Sequence, residues 1–197
     1  MYKRKDFFYL RAKEEGYNSR AAYKLKEIVT ASRLIKAGDR ILDIGCAPGG
    51  WLQVALGLAG KKGLVVGVDI EKIKGLSAGN LAFVQGDILN KDVQLRVRSL
   101  LNDRADVLLS DASPNLTGIR ERDHRMSFDL VKSILTLTKE FLKENGNFLV
   151  KVIEGPDTKD LFESVKSCFD FTKITRPDST RSRSRENYIV ATGFNAL

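Results

Sequence analysis

Apolar positions along the chain alternate between short unbroken runs and longer stretches spaced at three and four residues. Residues 40–45, 64–69, 81–84 and 106–111 are short runs rich in Ile, Leu and Val. They predict strands buried on both faces, as in a parallel sheet. Residues 51–59 predict a helix closed by Gly60, and residues 91–101 a second helix with Val93, Val97 and Leu100 on one face. Residues 112–123 lose the rhythm at Pro114, Asn115 and Gly118 and predict a loop. A long helix is expected over 128–143, stopping before Asn145 and Gly146, then a strand over 147–152 and a helix over 157–168. Two last strands, 169–174 and 188–192, flank a polar loop with no room for a crossover helix. At least one of them should therefore run antiparallel.

The succession reads as α/β: a doubly wound, mostly parallel seven-stranded sheet with one antiparallel strand. No internal repeat or linker interrupts it, so residues 1–197 are expected to form a single domain. Residues 40–194 would be its core. Residues 1–39 would be a basic helical extension, with Ser19 capping a helix over 21–29.

Composition narrows the chemistry. The 197 residues are 43% hydrophobic and 29% charged, close to ordinary globular usage. No apolar run approaches the ~20 residues that span a bilayer, and the charged N-terminus lacks the apolar core of a signal peptide. One His and two distant cysteines, Cys46 and Cys168, exclude a His-rich or thiolate metal centre and suit a reducing, cytoplasmic setting. The net charge of +8 is unevenly placed: residues 1–40 carry +6, residues 172–188 carry +3, and the stretch between them −1. Two basic segments flanking a neutral body point to nucleic acid, and neither has the apolar face of a membrane-surface helix. A basic surface that merely aids solubility would look the same from charge alone.

Between the first predicted strand and helix lies Asp43-Ile-Gly45-Cys-Ala-Pro48-Gly49-Gly50-Trp51. Ligands of doubly wound sheets bind beyond such turns, where glycine admits close backbone approach. The spacing fits neither the dinucleotide turn nor the P-loop. Acids recur at the following strand ends, Asp69, Asp87 and Asp111. An acid after strand two can accept both ribose hydroxyls of an adenosine, and Asp87 can take the adenine amine. Each could instead merely cap the helix that follows it. Taken together with the turn they favour S-adenosylmethionine over NAD.

Five blocks then fall in order: Ser19-Arg-Ala-Ala-Tyr-Lys24-Leu, Asp43 to Trp51, Leu109-Ser-Asp111-Ala-Ser-Pro-Asn115, Phe148-Leu-Val-Lys151 and Ser182-Arg-Ser-Arg-Glu186-Asn-Tyr188. With them the chain, from about residue 5 to residue 193, resembles the FtsJ/RrmJ (RlmE-type) family of RNA ribose 2′-O-methyltransferases. The resemblance implies a Rossmann-like class I methyltransferase fold and a catalytic tetrad of Lys24, Asp111, Lys151 and Glu186. It also implies cofactor contacts at Gly49, Trp51, Asp69, Asp87 and Asp111, beside the turn glycine Gly45. The expected cofactor is S-adenosyl-L-methionine, leaving as S-adenosyl-L-homocysteine, with no metal. The expected substrate is a uridine in the A-loop of large-subunit ribosomal RNA, and the expected state a cytoplasmic monomer without membrane contact.

The tetrad has its own rationale. Methyl transfer needs the hydroxyl in line with the sulfonium methyl, so positioning supplies much of the rate. A ribose 2′-hydroxyl is a poor nucleophile, and removing its proton as attack proceeds helps. Lys151 is expected to take that proton while Asp111 orients it, with Lys24 and Glu186 holding the ribose and each other. A cationic Lys151 stabilising developing alkoxide is the alternative. Three of them also have a plainer reading: Lys24 as a common helix-surface lysine, Lys151 as a snorkelling strand-end lysine, Glu186 as a helix or strand-edge partner of Arg183 or Arg185. On the RNA side, residues 20–26 and 176–185 should converge, with Phe7, Phe8, Tyr9 and Tyr23 available to stack. Tyr23 is expected to favour the core. Arg120, Arg122, His124 and Arg125 are further candidates for phosphate contacts. Other functions fit the same scaffold: methylation of tRNA or another RNA, a small-molecule methyltransferase, or a non-catalytic RNA-binding assembly factor.

Overall fold

A computed structural model describes residues 7–114 and 117–195. Asn115 of the third block and the first six residues of the extension lie outside them. Seven strands form one sheet in the order β3-β2-β1-β4-β5-β7-β6: β1 Arg40–Ile44, β2 Leu64–Asp69, β3 Leu81–Gln85, β4 Ala105–Ser110, β5 Leu142–Ile153, β6 Phe169–Thr175 and β7 Glu186–Phe194. All neighbours pair in parallel except β7, which runs antiparallel to both β5 and β6. The helices are α1 Phe7–Glu14, α2 Ala21–Ser32, α3 Gly50–Ala59, α4 Lys91–Leu101, α5 Arg120–Phe141 and α6 Thr158–Lys166.

Alternation along the strands divides the interior into two cores. Leu42, Leu108, Phe148, Val150 and Ile189 face α4, α5 and α6, packing on Val97, Ile134, Phe141 and Leu161. Ile41, Val107, Leu109, Leu149, Tyr188 and Val190 face the other side, against Leu25 and Ile28 of α2 and Trp51, Leu52 and Ala55 of α3. The N-terminal extension thus shares the second core.

Three local expectations change. The helix α5 starts at Arg120 rather than near 128, so the loop after β4 is shorter. Its start is fixed by the Asp123 carboxylate, which accepts from the Thr117 and Gly118 amides and the Thr117 hydroxyl. Periodicity missed this turn because Arg120–Asp123 present mostly solvated charge. The strand β5 begins at Leu142, immediately after α5, so Asn145 and Gly146 lie inside it rather than in a helix-ending loop. Ser19 does not cap α2 through its side chain. Its hydroxyl lies where a Cβ on Gly50 would stand, pinning α2 to the start of α3.

Candidate active site

Strand register assembles the site. Parallel pairing sets Ser110 of β4 opposite Val150 of β5, so Asp111, one step on, comes level with Lys151. Antiparallel pairing sets Lys151 opposite Tyr188 and Ile153 opposite Glu186. Two-residue alternation then puts Lys151, Tyr188 and Glu186 on the sheet face that α2 covers. The buried face of α2 adds Lys24. Four residues far apart in sequence therefore meet at the carboxyl ends of the strands.

They meet as two ion pairs. Lys24 Nζ lies 2.6 Å from Glu186 Oε2, and Lys151 Nζ 3.3 Å from Asp111 Oδ1. Lys151 also donates to the Asp111 backbone carbonyl. Neither lysine snorkels: Lys24 and Lys151 are 8% and 7% exposed. Among the described residues the Glu186 carboxylate pairs with Lys24 rather than with Arg183 or Arg185. Tyr188 joins the pairs, donating its hydroxyl to Asp111 Oδ1 at 2.9 Å while its ring lies 5.8 Å from Lys24 Nζ. Burial works against the charge of Glu186, yet the hydrogen bond and charge of Lys24, with Lys151 behind, hold its carboxyl below the usual range. Burial, reinforced by Asp111 and Glu186, pushes the Tyr188 hydroxyl up, so it stays a donor.

Beside the tetrad lies the switch point, where the chain leaves β1 for β2 on one side and β4 flanks it on the other. Gly45 has φ of 76°, and a Cβ there would stand 2.5 Å from Ala112 Cα, so only glycine lets the two strand ends come this close. Gly49 also has a left-handed backbone, φ 110°, and opens α3. Asp69 accepts from the Ala47 and Glu71 amides, fastening β2 to this turn. Asp87, exposed after β3, accepts from the Leu89 amide. Neither acid caps a helix: none lies between β2 and β3, and the cap of α4 is Asn90, whose side chain accepts from the Asp92 amide. The Trp51 indole is buried in the α2–α3 core, donates to the Ala21 carbonyl at 2.9 Å and packs on Tyr188. Its side chain supports the site from behind, leaving only its backbone to the turn.

Asp43 is the residue that sequence reasoning passed over. It is fully buried, and among the described residues neither carboxylate oxygen has a hydrogen-bond partner. Burial first, then the negative charges of Asp111 and Asp69, push its carboxyl well above the ordinary range. An acid within a run of Ile and Leu was the available signal. Tyr188 went unassigned because the expected strand began there and left Glu186 in the loop, hiding their shared face.

The basic segments converge as predicted, but several of their charges have internal work. Arg20 donates to the Ser179 carbonyl, and Glu27 accepts from the Ser179 amide. Arg176 donates to the carbonyls of Arg181, Ser184 and Glu186. These bonds fold the β6–β7 loop onto α2 and set the approach of Glu186. Tyr23 is buried, packed against Phe8 and Tyr17, while Phe7 and Tyr9 are 67% and 57% exposed.

The FtsJ-like methyltransferase model matches residues 17–194. The ribosomal RNA large subunit methyltransferase E of Methanothermobacter thermautotrophicus is 44% identical over 98% of this chain and 91% of its own. That of Methanobrevibacter smithii is 41% identical over 98% and 92%. A solved chain from Plasmodium falciparum assigned as a ribosomal RNA methyltransferase superposes with a TM-score of 0.80 at 32% identity, over 90% of this chain and 98% of that one. Aeropyrum pernix fibrillarin, solved with S-adenosyl-L-methionine, shares the fold: TM-score 0.60, 18% identity, 87% and 73% covered. With its seven-stranded sheet and these relatives over nearly its whole length, the chain belongs to the FtsJ-like methyltransferase family.

Proposed function

We propose that this enzyme transfers a methyl group from S-adenosylmethionine to a ribose 2′-hydroxyl of RNA, at a uridine in the A-loop of large-subunit ribosomal RNA. The observation that carries the reaction is the pair of contacts between buried amines and half-buried carboxylates gathered beside the glycine turn. The relatives' names favour the ribosomal large subunit.

The residues at the turn suit a cationic nucleoside cofactor. Asp43 is a buried acid whose carboxyl oxygens have no hydrogen-bond partner among the described residues, facing the charges of Asp69 and Asp111. A ligand carrying a sulfonium and an ammonium offsets that negative cluster. Gly45, Gly49 and the backbone at Trp51 would admit the ligand, Asp69 its ribose and Asp87 its base. Bound there, S-adenosylmethionine supplies an electrophilic methyl group, and no metal is proposed.

In this reading Lys151 acts as the neutral amine, its ammonium proton having left to solvent before attack, and takes the 2′-hydroxyl proton onto the Nζ lone pair as the oxygen attacks. Asp111 fixes the amine through its carboxylate and backbone carbonyl, and Tyr188 holds the Asp111 carboxylate in turn. The Lys24–Glu186 pair lines the opposite side and orients the ribose. Among the described residues no helix is long and apolar enough to cross a membrane, and a cytoplasmic monomer working on RNA through one domain fits the charge pattern.

The test is incubation with methyl-labelled S-adenosylmethionine and, separately, ribosomal subunits, free ribosomal RNA and tRNA. Label on a large-subunit uridine, in a linkage resistant to alkaline cleavage, is expected. Label on tRNA alone would overturn the substrate; label on bases would overturn the chemistry.

A further inference from the structure

Beyond the end of β5 is a second concavity, about 390 Å³, between the start of α5 and the β5–α6 loop. We propose that it holds a backbone phosphate, with part of its sugar, next to the target nucleotide of the RNA. This inference rests on the RNA-methylation reading above and gives that substrate a second anchoring point.

Three guanidinium groups line the cavity: Arg120 and Arg125 from α5 and Arg185 from the β6–β7 loop. Two carboxylates, Glu121 and Asp157, share it. Among the described residues Arg120 and Arg185 make no side-chain hydrogen bond or ion pair. Arg125 faces Asp129 at 3.6 Å, with both side chains more than half exposed, a contact of little strength that a phosphate can displace. Guanidinium forks match phosphate oxygens in pairs, which a scattered lysine surface does not.

The cavity has a built floor. His124 is buried; its Nδ1 donates to the Ile153 carbonyl and its Nε2 accepts from the Asp157 amide, each at 3.3 Å. With both ring nitrogens engaged, His124 shapes the site rather than gripping phosphate. A Cβ on Gly155 would collide with that ring, so glycine is what lets the loop lie on it. The Glu154 amide donates to the Arg185 carbonyl at 2.9 Å, tying the cavity wall to the residue before Glu186. Lys151 lies four residues before Gly155 on the same chain, no more than about 14 Å away at full extension. One RNA strand can therefore occupy both places.

The experiment compares the parent, R120Q/R185Q and, as an equal charge loss at the other end of the sheet, K61Q/K62Q. Each is measured for methyl transfer and for binding of a fluorescent large-subunit ribosomal RNA fragment over a range of salt. For R120Q/R185Q the expected result is a Kd and KM raised about tenfold or more. The salt slope should fall by about 0.7–0.9, one phosphate contact, while kcat changes less than about threefold. Parent-like Kd and slope, or an equal loss in K61Q/K62Q, would overturn the phosphate site. If the parent binds RNA but transfers no methyl, the methylation reading fails, while the binding arm still decides the cavity.

Discussion

Asp111 carries more of the site than its place after β4 suggests. Its carboxylate meets the Lys151 amine and the Tyr188 hydroxyl, and its backbone carbonyl meets Lys151 again. Removing only the hydroxyl, Tyr188→Phe, keeps the buried ring but frees one carboxylate oxygen. Loss of such a charge-assisted bond is worth about 1.5–3 kcal/mol, so kcat should fall roughly tenfold or more with cofactor affinity little changed. An unchanged kcat would remove Tyr188 from the account. Asp43 gives a prediction with a pH sign. Burial, then Asp111 and Asp69, hold its proton on to higher pH in the folded chain than in the unfolded one. Ionisation therefore costs stability as pH rises above the unfolded value of about 3.9. In cofactor-free protein the melting temperature of Asp43→Asn should gain on the parent's as pH rises above about 4, and the gain should disappear below. Saturating S-adenosylmethionine should shrink that advantage. A constant offset across pH would contradict it.

At the scale of elements, the order of strands and helices was legible because buried runs and helical spacing differ in period. The turn was legible because few residues other than glycine tolerate its backbone. Gly45→Ala puts a Cβ 2.5 Å from Ala112 Cα at a positive φ. The backbone alone costs about 1–2 kcal/mol, and the clash adds to it. A denaturation midpoint shifted by about 2 kcal/mol or more, with loss of cofactor binding, is expected; a parent-like midpoint would show that the turn has room. What periodicity could not reveal were features set by tertiary contacts. The early start of α5 depends on Asp123 reaching back to Thr117 and Gly118. The inward turn of Trp51 depends on the Ala21 carbonyl of a helix 30 residues earlier.

At the scale of the molecule, the two basic segments and the tetrad belong to one arrangement. The same α2 that delivers Lys24 carries Arg20, and the same loop that precedes Glu186 is held by Arg20, Glu27 and Arg176. Net charge showed where a polyanion would approach. It could not show which arginines are committed to carbonyls and which remain for phosphate, because that division follows from the folded loop. The identities of the four tetrad residues were readable only through the order of the blocks. Nothing in local pattern brings Lys24 within 2.6 Å of a glutamate 162 positions away. The claim that this gathering performs the chemistry is tested most directly by single-turnover methyl transfer with Lys151→Ala, cofactor and RNA both saturating. The rate should fall by at least about 10²-fold, the share expected of general base catalysis, while binding of S-adenosylmethionine and RNA stays near the parent's. A single-turnover rate within a few-fold of the parent's would contradict it.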